Sequence, residues 1–290
     1  MRTETELMSG ARLAIIAGGG DLPRRVAEQA RRTGRNPLVV GLKGFVDASL
    51  LTEFGGPELS VGEIGRLIQL MKKEGCEEMV FAGSLKRPDF SSLKLDLKGV
   101  QSLPRILAAA KKGDDALLRS VMDVFAEAGF RIVGADDVLD DLRVGPGPLG
   151  AISPGPEHWP DIKRAAEVAK ISGSLEIGQG AVVCDGLVLA VEAQEGTDRM
   201  LARIPELVEE IRGTPEARRG VLVKAAKPQQ ERRIDLPTIG LATVAGAVKA
   251  GLAGIAVEAG AALVVDREKV AAAADAAGLF IVGFTAADIA

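Results

Sequence analysis

The chain has 290 residues, 47% of them hydrophobic and 26% charged, with a formal net charge of −4 at neutral pH. That length suits two domains, and the profile excludes a disordered chain, a long apolar membrane span and, on electrostatic grounds, a nucleic-acid partner. A single histidine, two cysteines and no tyrosine exclude multi-histidine metal sites, leaving chemistry to carboxylates, Lys/Arg, Ser/Thr, backbone amides and hard cations.

The opening decapeptide MRTETELMSG carries no basic segment ahead of an apolar run, so no signal peptide is read there and a cytoplasmic location is expected. Leu13–Ala17 reads as a buried strand ending in Gly18-Gly19-Gly20. A helix follows, entered through Asp21 and Pro23, because Asp caps orphan amides and Pro suits a first helical turn. Strands are expected at 37–42 and 78–82, the second ending in Gly83-Ser84. Between them, 61–75 is a helix with Ile64, Leu67, Ile68 and Met71 on one face and Gly75 as its stop. A helix over 114–129 and a strand over 131–134 complete the alternation. The pattern points to a parallel sheet covered by helices, a Rossmann-like N-terminal domain over 1–143.

From Val144 to Pro160 the stretch VGPGPLGAISPGPEHWP holds five prolines and four glycines and reads as a linker, 144–160. His158 lies in it and is expected to be a bystander. The second domain, 161–290, is expected to be mixed α/β. It opens with a helix over 161–171 and a hairpin over 181–193, turning at Asp185-Gly186. A helix over 197–211, a strand over 220–224 and an irregular charged segment over 227–237 follow. The last elements are a helix over 238–251, strands over 254–257 and 263–266, a helix over 267–277 and a strand over 279–283. Cys76 and Cys184 form no CxxC. Their spacing permits one disulfide, but in this chain they read as buried apolar thiols of a reducing compartment.

Several constellations carry chemical potential. Gly18, Gly19, Gly20, Asp21 and Leu22 form a strand–glycine–helix turn, read either as a phosphate loop or as a plain tight turn. Pro23 stands where a dinucleotide fingerprint requires Gly. Gly83, Ser84, Lys86 and Arg87 follow another buried strand. There the two cations either clamp a phosphate or uracil-bearing group or form a solvated basic turn. Asp114 and Asp115, after Gly113, read either as a plain cap for the next helix or as a cap with one Asp left over for a sugar or a metal. Glu192, Glu195, Thr197 and Asp198 make the densest acidic knot, read as helix capping or as oxygen ligands for a hard cation. The tetrapeptide AVEA occurs at 190–193 and 256–259, by chance or because two strands deliver Glu192 and Glu258 to one edge. Lys224, Lys227, Gln230, Glu231, Arg233, Asp235 and Thr238 either combine cations for a pyrophosphate with carboxylates for water or metal or form a merely solvated loop, which would not need Pro at both 228 and 237. Thr238 is expected to cap the following helix.

Taken together, strand-GGG-D-L-P, GDD before a long helix, Gly178-Gln179 followed by AVEAQEGTD, K-x-x-K-P-x-Q-x-x-R-x-D-x-P-x-I-G and a late AVEAG resemble the UDP-2,3-diacylglucosamine pyrophosphatase family of the LpxI type. The resemblance runs from about Leu13 to Gly283. One departure is Glu231, where relatives are expected to carry Asp.

The resemblance implies a cytoplasmic enzyme of lipid A synthesis, peripheral to the inner-membrane surface. Its implied reaction is Mg²⁺-dependent (or served by another divalent cation such as Mn²⁺). UDP-2,3-diacylglucosamine is hydrolysed to UMP and the lipid product 2,3-diacylglucosamine 1-phosphate. Asp235, Asp198 and Glu195 are expected as metal or water-orienting groups, with Glu192 and Glu231 behind them. Lys224, Lys227 and Arg233 are expected to hold phosphates. Gln179, Thr197, Gln230 and Thr238 join the substrate-binding set, and a homodimer is an expected assembly. Two rival readings are another nucleotide-sugar enzyme, such as a glycosyltransferase, and a non-catalytic nucleotide-binding regulatory module.

Overall fold

In the computed structural model of the chain, which describes residues 12–85, 93–139, 141–227 and 236–290, two compact units form, Met1–Leu139 and Asp140–Ala290. The first is built on β1 (Arg12–Ala17), β2 (Leu38–Leu42), β3 (Glu58–Leu59), β4 (Cys76–Ala82) and β5 (Arg131–Ile132). All four pairings are parallel, in the order β3-β2-β1-β4-β5. β1 is apolar without alternation because a parallel strand is covered on both faces. The covering elements are α1 (Leu22–Arg32), α2 (Ala48–Phe54), α3 (Ile64–Lys73), α4 (Leu97–Ala110) and α5 (Asp114–Glu127). α3 buries Ile64, Leu67, Ile68 and Met71, as their spacing predicts. Strand order runs outward from β1 to β2 and β3 on one side and to β4 and β5 on the other. The crevice beyond the carboxyl ends of β1 and β4 is therefore the switch point where such sheets take ligands.

The second unit contains β6 (Gly147–Pro148), β7 (Gly180–Cys184), β8 (Leu187–Val191), β9 (Val221–Lys224), β10 (Thr238–Ile239), β11 (Gly254–Glu258), β12 (Leu263–Val264) and β13 (Phe280–Phe284). Six of them form a mixed sheet in the order β6-β13-β11-β9-β7-β8, and β10 pairs with β12. β9, β11 and β13 are parallel, whereas β6, β7 and β8 each pair antiparallel with a neighbour. α6 (Trp159–Ser174) covers one face through Ile162, Ala165, Ala166 and Ala169. α7 (Gly196–Ala202), α8 (Leu241–Lys249) and α9 (Arg267–Ala276) cover the other, burying Met200, Leu201, Val244, Ala247, Val270 and Ala274. The hairpin turns at Asp185 and Gly186, at φ of +49° and +80°. Both oxygens of the buried Asp161 accept from their amides, at 2.9 and 2.8 Å. An N-terminal parallel α/β unit and a C-terminal mixed one are the architecture expected from the sequence.

Several expectations are corrected. The stretch 144–160 is an integral part of the second unit rather than a free linker. Val144 is buried in its core and accepts from Gly260 N at 2.8 Å. β6 pairs with β13, and the Ala151 amide donates to Asp275 at 2.9 Å. His158 accepts from Gly155 N at 2.9 Å and stacks edge-on against Phe280, a packing role. α7 ends at Ala202 and gives way to two short 3₁₀ turns, the first with Pro205 in it, so the α-helix does not continue to 211. Thr238 lies in β10, and the residue before α8 is Gly240. Asp21 and Gly113 occupy the positions before α1 and α5, and neither helix receives a side-chain cap. The expectation for Cys76 and Cys184, by contrast, holds: both are buried free thiols whose pKa desolvation pushes up to about 11.

Candidate functional site

In the first unit, the loops after β1 and β4 are zipped together. Gly18 N donates to Ala82 O at 2.8 Å, Gly19 N to Ser84 O at 2.9 Å and Ser84 N back to Gly19 O at 2.9 Å. A methyl placed on Gly18 would lie 2.5 Å from Ser84 O, and one on Gly83 would lie 2.5 Å from Gly19 O. Gly18 and Gly83 are thus needed for close backbone approach, and the amides of Gly18 and Gly19 are engaged within the protein. Gly20, at φ +86° with open space around it, and the exposed Asp21 lead into Leu22 at the start of α1. That half of the loop is the part facing outward at the switch point. The connection from α5 into β5 puts the first turn of α5 at the same edge. There Asp115 is buried and pairs with Arg119 one turn on, and Asp114 precedes it. Lys86 and Arg87 lie outside the described residues.

In the second unit, the two motif-bearing segments meet at the carboxyl edge of β9. Gly180, the first residue of β7, is the cross-strand partner of Lys224, the last of β9. Glu192, just past β8, donates its amide to Gly180 O at 2.8 Å. A methyl on Gly180 would stand 2.7 Å from Glu192 Oε2, and one on Gly178 would stand 2.0 Å from the Glu192 carbonyl oxygen. Gly178-Gln179-Gly180 is therefore glycine-flanked so that Glu192 can fold over it. Gln179 holds the edge through its carbonyl, which accepts from Ala225 N at 3.0 Å. By strand alternation Gly180, Val182, Leu222 and Lys224 share one face, so Lys224 and the Glu192 carboxylate lie on the same side. Glu258 shares the edge but alternates to the opposite face, with Ala256, so the two AVEA carboxylates do not converge.

Glu192 is 6% exposed. Thr197 Oγ1 donates to its Oε1 at 2.7 Å, while Oε2 is buried without a hydrogen-bond partner among the described residues. A buried carboxylate oxygen left bare carries a desolvation penalty that a cation or a donor on a ligand would relieve. Lys224 Nζ donates to Thr238 O at 3.0 Å, so Thr238 contributes through its carbonyl. Lys227, largely buried over Gly173, pairs with Glu176 at 3.4 Å. Glu176 was not among the residues expected from the sequence. Its isolated acidic position just ahead of Gly178-Gln179-Gly180 was the available signal.

Glu195 pairs with Arg203 at 3.0 Å, and Asp198 is exposed. Among the described residues, no group of three or more His, Cys, Asp or Glu side chains is placed to hold a metal ion together. The divalent cation implied by the family resemblance thus finds one fitting oxygen here, Glu192 Oε2. Gln230, Glu231, Arg233 and Asp235 lie outside the described residues.

Comparison with known proteins matches residues 12–142 to the LpxI N-terminal domain and residues 145–282 to the LpxI C-terminal domain. A curated protein of Caulobacter vibrioides named UDP-2,3-diacylglucosamine pyrophosphatase LpxI is 53% identical over 272 residues, covering 94% of this chain and 97% of its own. A solved UDP-glucose-4-epimerase of Stenotrophomonas maltophila, with bound NAD and formylated UDP-arabinopyranose, covers 42% of this chain and 36% of its own. Its 14% identity and TM-score of 0.29 are too slight to bear on fold or function.

Proposed function

The chain belongs to the LpxI family, and from that membership we propose that it is a hydrolase of UDP-2,3-diacylglucosamine. Cleavage of the phosphoanhydride releases UMP and 2,3-diacylglucosamine 1-phosphate in the route to lipid A. The observation that carries this reading is the 53% identity to a protein of that name across 94% of the chain. The chemistry available at the second unit's carboxyl edge agrees with it. Phosphoanhydride hydrolysis requires neither imidazole nor thiol. It requires charge neutralisation at the phosphates and a base or oriented water at one phosphorus.

In the proposed mechanism a water oxygen bonds to one phosphorus as the bridging P–O bond breaks, and the departing phosphate keeps the electron pair. Lys224, steadied by the Thr238 carbonyl, and Lys227, steadied by Glu176, neutralise the diphosphate. Glu192, fixed through Thr197, turns its bare oxygen toward the reacting group, where it accepts a proton from water or takes part in cation binding. Asp235 is expected to join it, with Asp198 and Glu195 further out. A divalent cation bound there supplies Lewis-acid neutralisation of phosphate charge. Ile171, Leu175 and Ile177, exposed around Glu176, offer apolar surface to an acyl chain. Each methylene buried there is worth about 0.8 kcal/mol.

We place the enzyme at the cytoplasmic face of the inner membrane as a peripheral protein. No helix among the described residues is long and apolar enough to cross a membrane. The test is mass spectrometry of the products formed from UDP-2,3-diacylglucosamine with Mg²⁺ in ¹⁸O-water. UMP and the lipid 1-phosphate are expected, with the label marking the attacked phosphorus. Release of UDP would identify a glycosyl-transferring enzyme instead, and absence of turnover with Mg²⁺ and Mn²⁺ would leave a binding module.

A further inference from the structure

The first unit carries a feature that the hydrolytic chemistry does not use. α4 buries one face through Gly99, Ser102, Ile106 and Ala110. On its other side Leu97, Val100 and Leu107 are 76%, 53% and 36% exposed, with Pro104 and Ala108 exposed beside them. At 3.6 residues per turn these five fall on one stripe, roughly 15 Å long. Single exposed apolar residues are ordinary, but a helical stripe of them marks a contact surface.

The charge around the stripe says which kind of contact. Residues 94–112 contain Lys94, Lys98, Arg105, Lys111 and Lys112 against one carboxylate, Asp96, in a chain whose net charge is −4. Asp96 is engaged in helix capping, accepting from Gly99 N and Arg66 N, both at 2.8 Å. Arg105 is compensated by Asp123 and Glu127 of α5, each at 2.6 Å, and Lys94 lies 3.9 Å from Glu63. Lys98, Lys111 and Lys112 have no ion-pair partner among the described residues. An apolar stripe bordered by lysines is the pattern of a helix lying in a membrane interface, its apolar side chains among the acyl chains and its cations at anionic headgroups.

We propose that α4 is the element through which the chain docks on an anionic bilayer. For its purpose this rests on the lipid substrate proposed above, but its test does not depend on turnover. The experiment is co-sedimentation of the full chain with vesicles of phosphatidylcholine alone or with phosphatidylglycerol added.

Binding is expected only to the anionic vesicles and should weaken with salt as headgroup charge is screened. The Val100→Asp/Leu107→Asp variant is expected to reduce partitioning about tenfold or more, as is Lys98→Glu/Lys111→Glu/Lys112→Glu. Both should keep the wild-type melting temperature and turnover of a short-chain, monomerically dispersed substrate. Failure of the wild type to bind, or binding equal to the wild type's by both variants, overturns the docking role. So does a wild-type dimer in sedimentation velocity that Val100→Asp/Leu107→Asp converts to monomer, since the stripe would then face a second copy. Anionic-vesicle binding lost in both variants, with no turnover of the dispersed substrate by any form, would sink the proposed hydrolase while leaving the docking helix standing.

Discussion

Glu192 has one oxygen bonded to Thr197 and one buried and bare, an arrangement that stability alone would not favour. Glu192→Gln retains a carbonyl for Thr197 and removes the charge. Turnover is expected to fall about a hundredfold or more, while the melting temperature stays level or rises. Unchanged turnover would take Glu192 out of the chemistry. The sequence marks this residue only as one of three acids in seven positions. What separates it from Glu195 and Asp198 is strand alternation, since Ala190 and Glu192 share the inner face at the end of β8. Asp96 shows the opposite economy of a carboxylate. Burial pushes its pKa up, but the amides of Gly99, Arg66, Gly65 and Lys98 outweigh that and hold it below the ordinary range. The unfolded chain therefore binds a proton more readily, and the stabilisation is fully present above about pH 4 and lost as pH falls through the folded pKa. Asp96→Ala should cost about 2 kcal/mol at pH 7, roughly one for each of the two helix starts it caps. Urea midpoints measured from pH 7 down to pH 3 should show the gap to wild type closing in acid.

At the scale of elements, β1, β2, β4, β9, β11 and β13 are legible because buried strands in such sheets are short apolar runs bounded by glycine. α4 is not legible. Gly99 and Pro104 interrupt its helical propensity, and its amphipathic pattern has two apolar sides rather than one. α2 and β3 are too short to announce themselves. α7 is overextended by a pattern reading that passes through Pro205. The glycine run after β1 shows how one signal covers two causes. Gly18 serves close packing, whereas Gly20 serves its backbone angle. A methyl on Gly18 meets the backbone of Ser84, so Gly18→Ala should part the two loops at a cost of about 1–3 kcal/mol. Gly20→Ala meets nothing and carries only the strain of positive φ, roughly 1 kcal/mol. Denaturant midpoints should rank the variants in that order. The reverse ranking would mean that the loops are not clamped to each other.

For the whole molecule, the Pro/Gly-rich stretch is where composition misleads and where the two units can be tested. Prolines and glycines suit a linker, but they also suit a sheet edge, where a missing amide is harmless and tight turns are needed. β6 is such an edge strand, with Gly147 at φ +90° and Pro148 opposite Val282. The backbone on either side is tied in as well: Val264 N donates to Leu142 O at 2.7 Å, Val144 N to Ala262 O at 3.0 Å and Leu149 N to Ile281 O at 2.8 Å. Leu142 and Val144 are both buried. A fragment starting at residue 161, where composition places the domain boundary, loses all of this. One starting at residue 141 keeps it. Burial of Leu142 and Val144 alone is worth about 3–6 kcal/mol, comparable to the roughly 5–15 kcal/mol that holds a domain folded. The 141–290 fragment should therefore unfold cooperatively in urea with dispersed amide resonances, and the 161–290 fragment should show neither. Equal midpoints for the two would return 144–160 to the role of a passive tether.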